Sequence, residues 1–143
     1  MTNVARTGQA LLIAASSMFF AAFTSAMVVR RGLSGDWITP LLPTWVWATL
    51  LLGPLASWLI QRGHVRPAMA AGAALVSSQL ALLAGLRLFV IGEAFFGVLI
   101  AAHAAHAVAG VAAIGRFGAR ASLFWHFVGA LWIYLVFLFE VWA

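Results

Sequence analysis

Long apolar runs separated by short stretches of arginine, glycine and proline make up nearly the whole chain. The first run covers 9–29 and stops at Arg30, Arg31 and Gly32. The second, 41–60, opens beside Pro40 and Pro43, where proline suits a first helical turn, and ends before Gln61, Arg62, Gly63 and His64. The third, 67–86, opens at Pro67; the fourth, 92–114, opens at Gly92 and Glu93; the fifth covers 121–142. A run of roughly 20 residues makes a helix of about 30 Å, the thickness of a bilayer's hydrocarbon core. The pattern predicts an all-α polytopic bundle of five transmembrane helices, with residues 1–143 forming a single transmembrane domain. Short loops make sequence neighbours antiparallel and adjacent, and Pro54 beside Gly53 predicts a kink in the second helix.

Composition supports lipid as the solvent. Hydrophobic residues make up 65% of the chain and charged residues 8%, with a mean hydropathy of +1.07, whereas soluble domains carry about 25% charged residues. The net charge of +5 comes from arginines placed singly or in pairs between the apolar runs, as loop charges are under the positive-inside rule. They form no basic cluster that could follow a phosphate backbone, so no nucleic-acid partner is expected. The absence of cysteine excludes disulfides, thiolate metal sites and cysteine nucleophiles. The first run has no small-residue cleavage site before a polar region and reads as a retained helix rather than a signal peptide. Arg6, Arg62, Arg66, Arg116 and Arg120 fall on one side of the predicted bundle, against Arg30, Arg31 and Arg87 on the other. That asymmetry puts the N-terminus in the cytoplasm and the C-terminus outside.

Helix packing and chemistry are read from the few non-aliphatic positions. Gly97, Ala101, Ala105, Ala109 and Ala113 repeat every four residues, as do Ala73, Ser77, Ala81 and Gly85. Such small-residue rows let helix backbones approach closely in lipid. Trp37, Trp45, Trp58, Trp125 and Trp142 lie near run ends, as an aromatic belt would. Within the runs the polar candidates are Ser16, Ser17, Gln79, His103, His106, His126 and Tyr134, with Glu93 and Glu140 near the outer surface, where snorkelling is expected. Counting helical rise from the loop at 116–120 brings His106 and His126 within side-chain reach and leaves His103 deeper. No carboxylate stands near that depth to support a metal site. Interhelical hydrogen bonding is the first reading for the three histidines; haem or metal ligation and proton transfer stay open.

Three motifs then combine. The first run contains Ser16, Ser17, Met18, Phe19, Phe20 and Phe23; the fourth contains His103, His106 and Gly110; the fifth contains Trp125, His126, Phe127 and Val128, followed by Leu131, Trp132 and Tyr134. In this order and spacing they resemble subunit III of the haem-copper oxidases, the cytochrome c oxidase type in particular. That family carries an S-x-x-x-F-F-like first motif, H-G-x-H-V-x-x-G in its penultimate helix and W-H-F-V-D-x-x-W in its last. Gln79 also resembles a glutamine of that family. The resemblance covers nearly the whole chain, which looks like the last five of seven helices.

What the resemblance implies is a non-catalytic core subunit of a bacterial terminal oxidase, multi-pass in the inner (plasma) membrane, with a periplasmic C-terminus. It implies direct contact with subunit I, together with subunit II and other respiratory subunits. Haem and copper are expected in subunits I and II and no cofactor on this chain, although phospholipid is a candidate ligand. The expected role is to stabilise subunit I while the complex reduces oxygen and pumps protons. Candidate contacts with lipid or subunit I are Ser17, Phe19, Phe20, Phe23, Trp125 and Trp132; His103, His106, His126 and Gln79 are candidate interhelical polar groups. No residue is expected to be catalytic or to hold a metal. Ser17 stands where the family often has a glutamate, and Gly129 where it has an aspartate. Alternatives are an accessory subunit of a quinol oxidase or nitric oxide reductase, a small membrane b-type cytochrome, and a transporter subunit.

Overall fold

A computed structural model describes residues 3–33 and 35–141, with side chains from Thr7 onward. The side chain of Arg6 and all of Trp142, the expected end of the last run, lie outside the described residues. Among the described residues the only regular structure is helical: α1 (Asn3–Leu33), α2 (Trp45–Thr49), α3 (Leu52–Gln61), α4 (Val65–Ala84), α5 (Ile91–Phe117) and α6 (Ser122–Val141). Three helical stretches, Thr7–Leu33, Val65–Ala84 and Ile91–Val141, are long and apolar enough to cross a membrane.

The last stretch is a hairpin. Gly118 takes a positive φ of 55°, donates its N–H back to the Ile114 carbonyl and starts a short 3-10 turn, Gly118–Ala121. Beyond it α6 returns antiparallel to α5: Trp125 meets Gly110, and Phe139 stacks on Phe96 with ring centroids 4.2 Å apart. A second reversal ends α3. Gly63, at φ 79°, donates to Ile60 O and His64 donates to Leu59 O, a left-handed glycine cap that satisfies the last carbonyls.

The second apolar run departs from expectation. Residues 41–44 are not helical, and the chain is helical only from Trp45, in two pieces broken at Leu50 and Leu51. Pro54 is the physical cause. It has no N–H to give the carbonyl of Leu50, and its ring crowds that carbonyl. The ladder therefore tightens, with Leu50 and Leu51 donating to Trp47 and Ala48, three residues back. The sequence placed a bend here; the structure makes it an interruption.

Both predicted small-residue rows also need correction. Ala73, Ser77, Ala81 and Gly85 of α4 are all exposed, as are Ala101, Ala105 and Ala109 of α5; only Gly97 of that row is fully buried. α4 instead turns Ala68, Gly72, Leu75, Gln79 and Leu82 inward, and α5 turns Phe96, Ile100, His103, Ala107, Gly110 and Ile114 inward. In alanine-rich helices several faces are small enough to pack. The face that carries a polar or aromatic group gains most from burial, so it decides.

Trp125 is the centre of the packing. It is 0% exposed and so not a belt residue. Its ring fills the spaces that side chains at Gly72 of α4 and Gly110 of α5 would occupy, where added Cβ atoms would lie 2.9 and 2.8 Å from it. Its Nε1–H donates to the Gly53 carbonyl at 3.1 Å, which joins α3 to the same cluster. α1 lies outside this group, resting on α5 and α6 through Ser16, Phe20, Thr24 and Met27.

Gly110→Val should overpack this contact and destabilise the protein by about 1–3 kcal/mol, read as a lower unfolding midpoint in detergent. Gly8→Ala, where a Cβ meets nothing within 4 Å, should leave the midpoint unchanged.

Candidate functional site

The polar side chains inside the bundle form a series of interhelical pairs. The innermost joins three helices. His103, 0% exposed, places Nε2 2.9 Å from the Val128 carbonyl of α6 and Nδ1 2.8 Å from the Gln79 amide nitrogen of α4. A carbonyl can only accept, so Nε2 carries the proton, and Nδ1 accepts from the Gln79 NH₂. Both ring nitrogens are thereby used. The Gln79 Oε1 is left buried without a hydrogen-bond partner. The His103 ring also lies 5.1 Å from that of Trp132, whose Nε1–H donates to Thr49 Oγ1 at 2.8 Å, and Thr49 in turn donates to Val46 O.

His106 occupies a different face. Its Nδ1–H donates to Ala102 O, one turn back, at 2.7 Å, which leaves Nε2 to accept from Ser16 Oγ of α1 at 2.9 Å. The Phe20 ring packs edge-on against it, 5.5 Å between centroids. Further along α1, Tyr134 donates to Thr24 Oγ1 at 3.2 Å.

His126 turns away from both. It is exposed, and its Nε2 is 3.4 Å from the Gln61 amide nitrogen of α3. The expected approach of His106 and His126 is therefore corrected. Helical rise gave their depth along the axis, but the rotation of α6 is set by Trp125, and His126, the next residue, is carried about 100° around the helix. Among the described residues no three His, Asp or Glu side chains are close enough to hold a metal ion.

The other candidate residues separate by exposure. Ser17 and Phe19 are exposed and Phe23 is half-buried, so all three are open to contact, although Ser17 donates to its own helix at Ile13 O, 2.8 Å away. Phe20, Trp125 and Trp132 are buried and cannot act as contacts to lipid or another subunit; their size makes them core instead.

Glu93 needs the same correction. Its side chain is only 5% exposed and does not snorkel; Arg87 pairs with it at 2.5 Å, supported by Arg87 Nε at 2.8 Å and by the Arg87 backbone N–H. Gly92 makes this burial possible, because a Cβ there would collide with the Ile38 carbonyl. Glu140 is exposed.

Sequence reasoning missed the partners Thr24, Thr49 and Gln61. The periodic signal was present for one of them: Thr24 follows Ser16 and Phe20 at four-residue spacing on the face that packs. Thr49 and Gln61 have no such signal, since the break before Pro54 resets the helical phase between them.

The fold and these pairs define a class: an all-helical, apolar bundle of membrane type, pinned by polar pairs between its helices. Comparisons of the sequence with family models and curated proteins, and of the fold with solved structures, return no match.

A double-mutant cycle of Gln79→Leu and His103→Leu should show coupling of about 0.6–2 kcal/mol in unfolding free energy. His106→Leu and His126→Leu, which share no partner, should add within about 0.5 kcal/mol. Coupling between that second pair would restore the converging-histidine arrangement.

Proposed function

We propose that the chain is a non-catalytic subunit of a bacterial haem-copper terminal oxidase of the cytochrome c oxidase type, equivalent to subunit III in a five-helix form. In this reading it crosses the inner membrane five times, with α2 and α3 together making one crossing, a cytoplasmic N-terminus and a periplasmic C-terminus. It stands against subunit I, in the company of subunit II, and stabilises subunit I while the complex reduces oxygen and pumps protons. Haem and copper stay on those partners.

The observation that carries the reading is the way the motif residues are spent. His103, His106, Trp125 and Trp132, which bear the resemblance, each bond or stack between helices. A subunit whose motif residues hold its own helices together suits a stabilising role. Charge supports the proposed orientation. Arg62, Arg66, Arg116 and Arg120 stand at and beside the two turns at one end, with no acidic residue among them, whereas Asp36, Glu93 and Glu140 belong to the other end, where they offset Arg30, Arg31 and Arg87. The outward face of α1, with Leu11, Leu12, Met18 and Phe19 exposed, offers subunit I an apolar surface.

Affinity purification of the tagged chain from native membranes should bring down haem-containing subunit I together with subunit II. The complex isolated without the chain should keep its haem spectrum but lose activity sooner during turnover. Recovery of the chain alone, or loss of haem when it is removed, would overturn the reading. A Soret band on the isolated chain would make it a b-type cytochrome instead.

A further inference from the structure

We propose that the groove between α3 and α6 binds one isoprenoid para-quinone, with its ring between Ser57, Gln61 and His126 and its tail laid over Pro54, Ala130 and Ile133 toward the bilayer. The inference needs only that the chain lies in a membrane, and it stands or falls apart from the oxidase reading.

The site turns on a hydroxyl that the fold leaves unused. Serine and threonine inside a helix often bond back to a carbonyl of the preceding turn, as Ser17 does to Ile13 O and Thr24 to Phe20 O. For Ser57 the carbonyl four residues back is that of Gly53, and it already accepts the Trp125 indole N–H at 3.1 Å. Among the described residues Ser57 Oγ has no hydrogen-bond partner, although Ser57 is only 8% exposed. The little exposure it keeps is into the groove, which it lines. A polar group so placed costs free energy unless something in the groove bonds to it.

The groove encloses about 360 Å³. Gly53 and Gly129 create it. A Cβ on Gly53 would lie 3.0 Å from the Gly129 Cα, so the helices touch backbone to backbone and leave a slot beside the crossing. The exposed Trp58 indole forms one side of it, and a flat ring can stack there.

Polar groups stand at two levels in this slot. At the mouth, Gln61 ends α3 and His126 lies about one turn inside α6. The Gln61 amide nitrogen can only donate, so His126 Nε2 accepts from it at 3.4 Å and the ring proton sits on Nδ1. Among the described residues that N–H and the second Gln61 N–H have no other partner. Ser57 lies four residues before Gln61, about 6 Å deeper by helical rise. Donors at that separation match two carbonyl oxygens on opposite sides of a six-membered ring, which a para-quinone presents and a single amide or alcohol does not.

Charge narrows the ligand further. No arginine or carboxylate lines the groove, and the Arg62 guanidinium is held over the Trp58 ring, 5.0 Å from its centroid. A phosphate at the level of Ser57 would be buried without a counter-charge, so the headgroup is neutral. Beyond Ser57, Pro54, Ala130 and Ile133 offer an apolar path outward, as a prenyl tail requires.

The test titrates the full chain in detergent micelles with ubiquinone and with menaquinone, each carrying a two-isoprene tail, and counts bound ligand by native mass spectrometry. One of these quinones should bind once per chain, about tenfold tighter than the same tail on a plain benzene ring. Ser57→Ala should weaken binding about five- to tenfold, the loss of one hydrogen bond. It should leave the unfolding midpoint unchanged, because the hydroxyl bonds nothing in the protein. Ser77→Ala, exposed on α4, should leave affinity unchanged. Ala130→Trp, at an exposed position, should block binding by filling the groove.

The site is overturned if neither quinone binds better than the ring without carbonyls, or if Ser57→Ala keeps full affinity. Displacement of the quinone by an equal amount of phosphatidylglycerol would reduce the groove to an unselective hydrocarbon seat and overturn it too. A photoreactive residue at 130 that captures protein rather than quinone in native membranes would assign the groove to a partner helix instead.

Discussion

The indole of Trp125 fixes how far apart four helices stand. In lipid no water is released when helices meet, so cohesion comes from close contact and hydrogen bonds. A flat ring laid against the bare backbones of Gly72 and Gly110 makes many such contacts at once. Its single polar atom would be costly if left unpaired, and it reaches the Gly53 carbonyl. Since α6 is held by this residue against α3, α4 and α5, every other side chain on α6 has its direction set. Val128 and Trp132 then face His103, Gly129 faces Gly53, and His126 faces out.

The buried polar groups follow the same logic of satisfaction. A backbone or side-chain donor without a partner costs several kcal/mol in hydrocarbon. The histidines of α5 therefore use both ring nitrogens: His103 spends both on neighbouring helices, and His106 spends one on α1 and one on its own helix. Neutral pairs fill the interior, and the ion pairs Arg30–Asp36 and Arg87–Glu93 stand at one end, where at least one partner reaches the surface. Among the described residues the exceptions are the Trp37 Nε1 and the Gln79 Oε1. Turning the amide over would point Oε1 at a bare Nδ1, because Nε2 of the same ring must keep its proton for Val128. The orphaned acceptor is thus the less costly of two arrangements.

Helix positions were legible in the sequence because apolar length and the glycine and arginine stops are local properties. α4, α5 and α6 begin and end within three residues of the runs that predicted them, and α1 extends the first run by six residues at its start and four at its end. Rotation about each helix axis was not legible. Lipid-facing and core-facing positions are equally apolar here, so hydrophobic periodicity carries almost no phase. That is why the alanine rows on α4 and α5 were assigned inward and lie outward. It is also why His126 was turned toward His106. Gln79 and His103 carried the missing phase: each marks the buried face of its helix. Glu93 was misread for a related reason. Its partner, Arg87, lies six residues earlier across a turn that only tertiary contact between Gly92 and Ile38 brings together.

The same absence of phase bears on α1. This helix lies against α5 and α6 along one narrow stripe, and its exposed residues Leu11, Leu12, Met18, Phe19 and Val29 are as apolar as the buried Phe20 and Met27. Apolar contact alone would hold it nearly as well in several rotations. Ser16 and Thr24, eight residues apart, bond to His106 and Tyr134 at two heights. Two fixed points on a rigid helix define both its rotation and its sliding position. These hydrogen bonds contribute modest energy, but they remove alternatives that dispersion cannot distinguish. They therefore determine which apolar face α1 presents outward, and so which surface a neighbour in the membrane would meet.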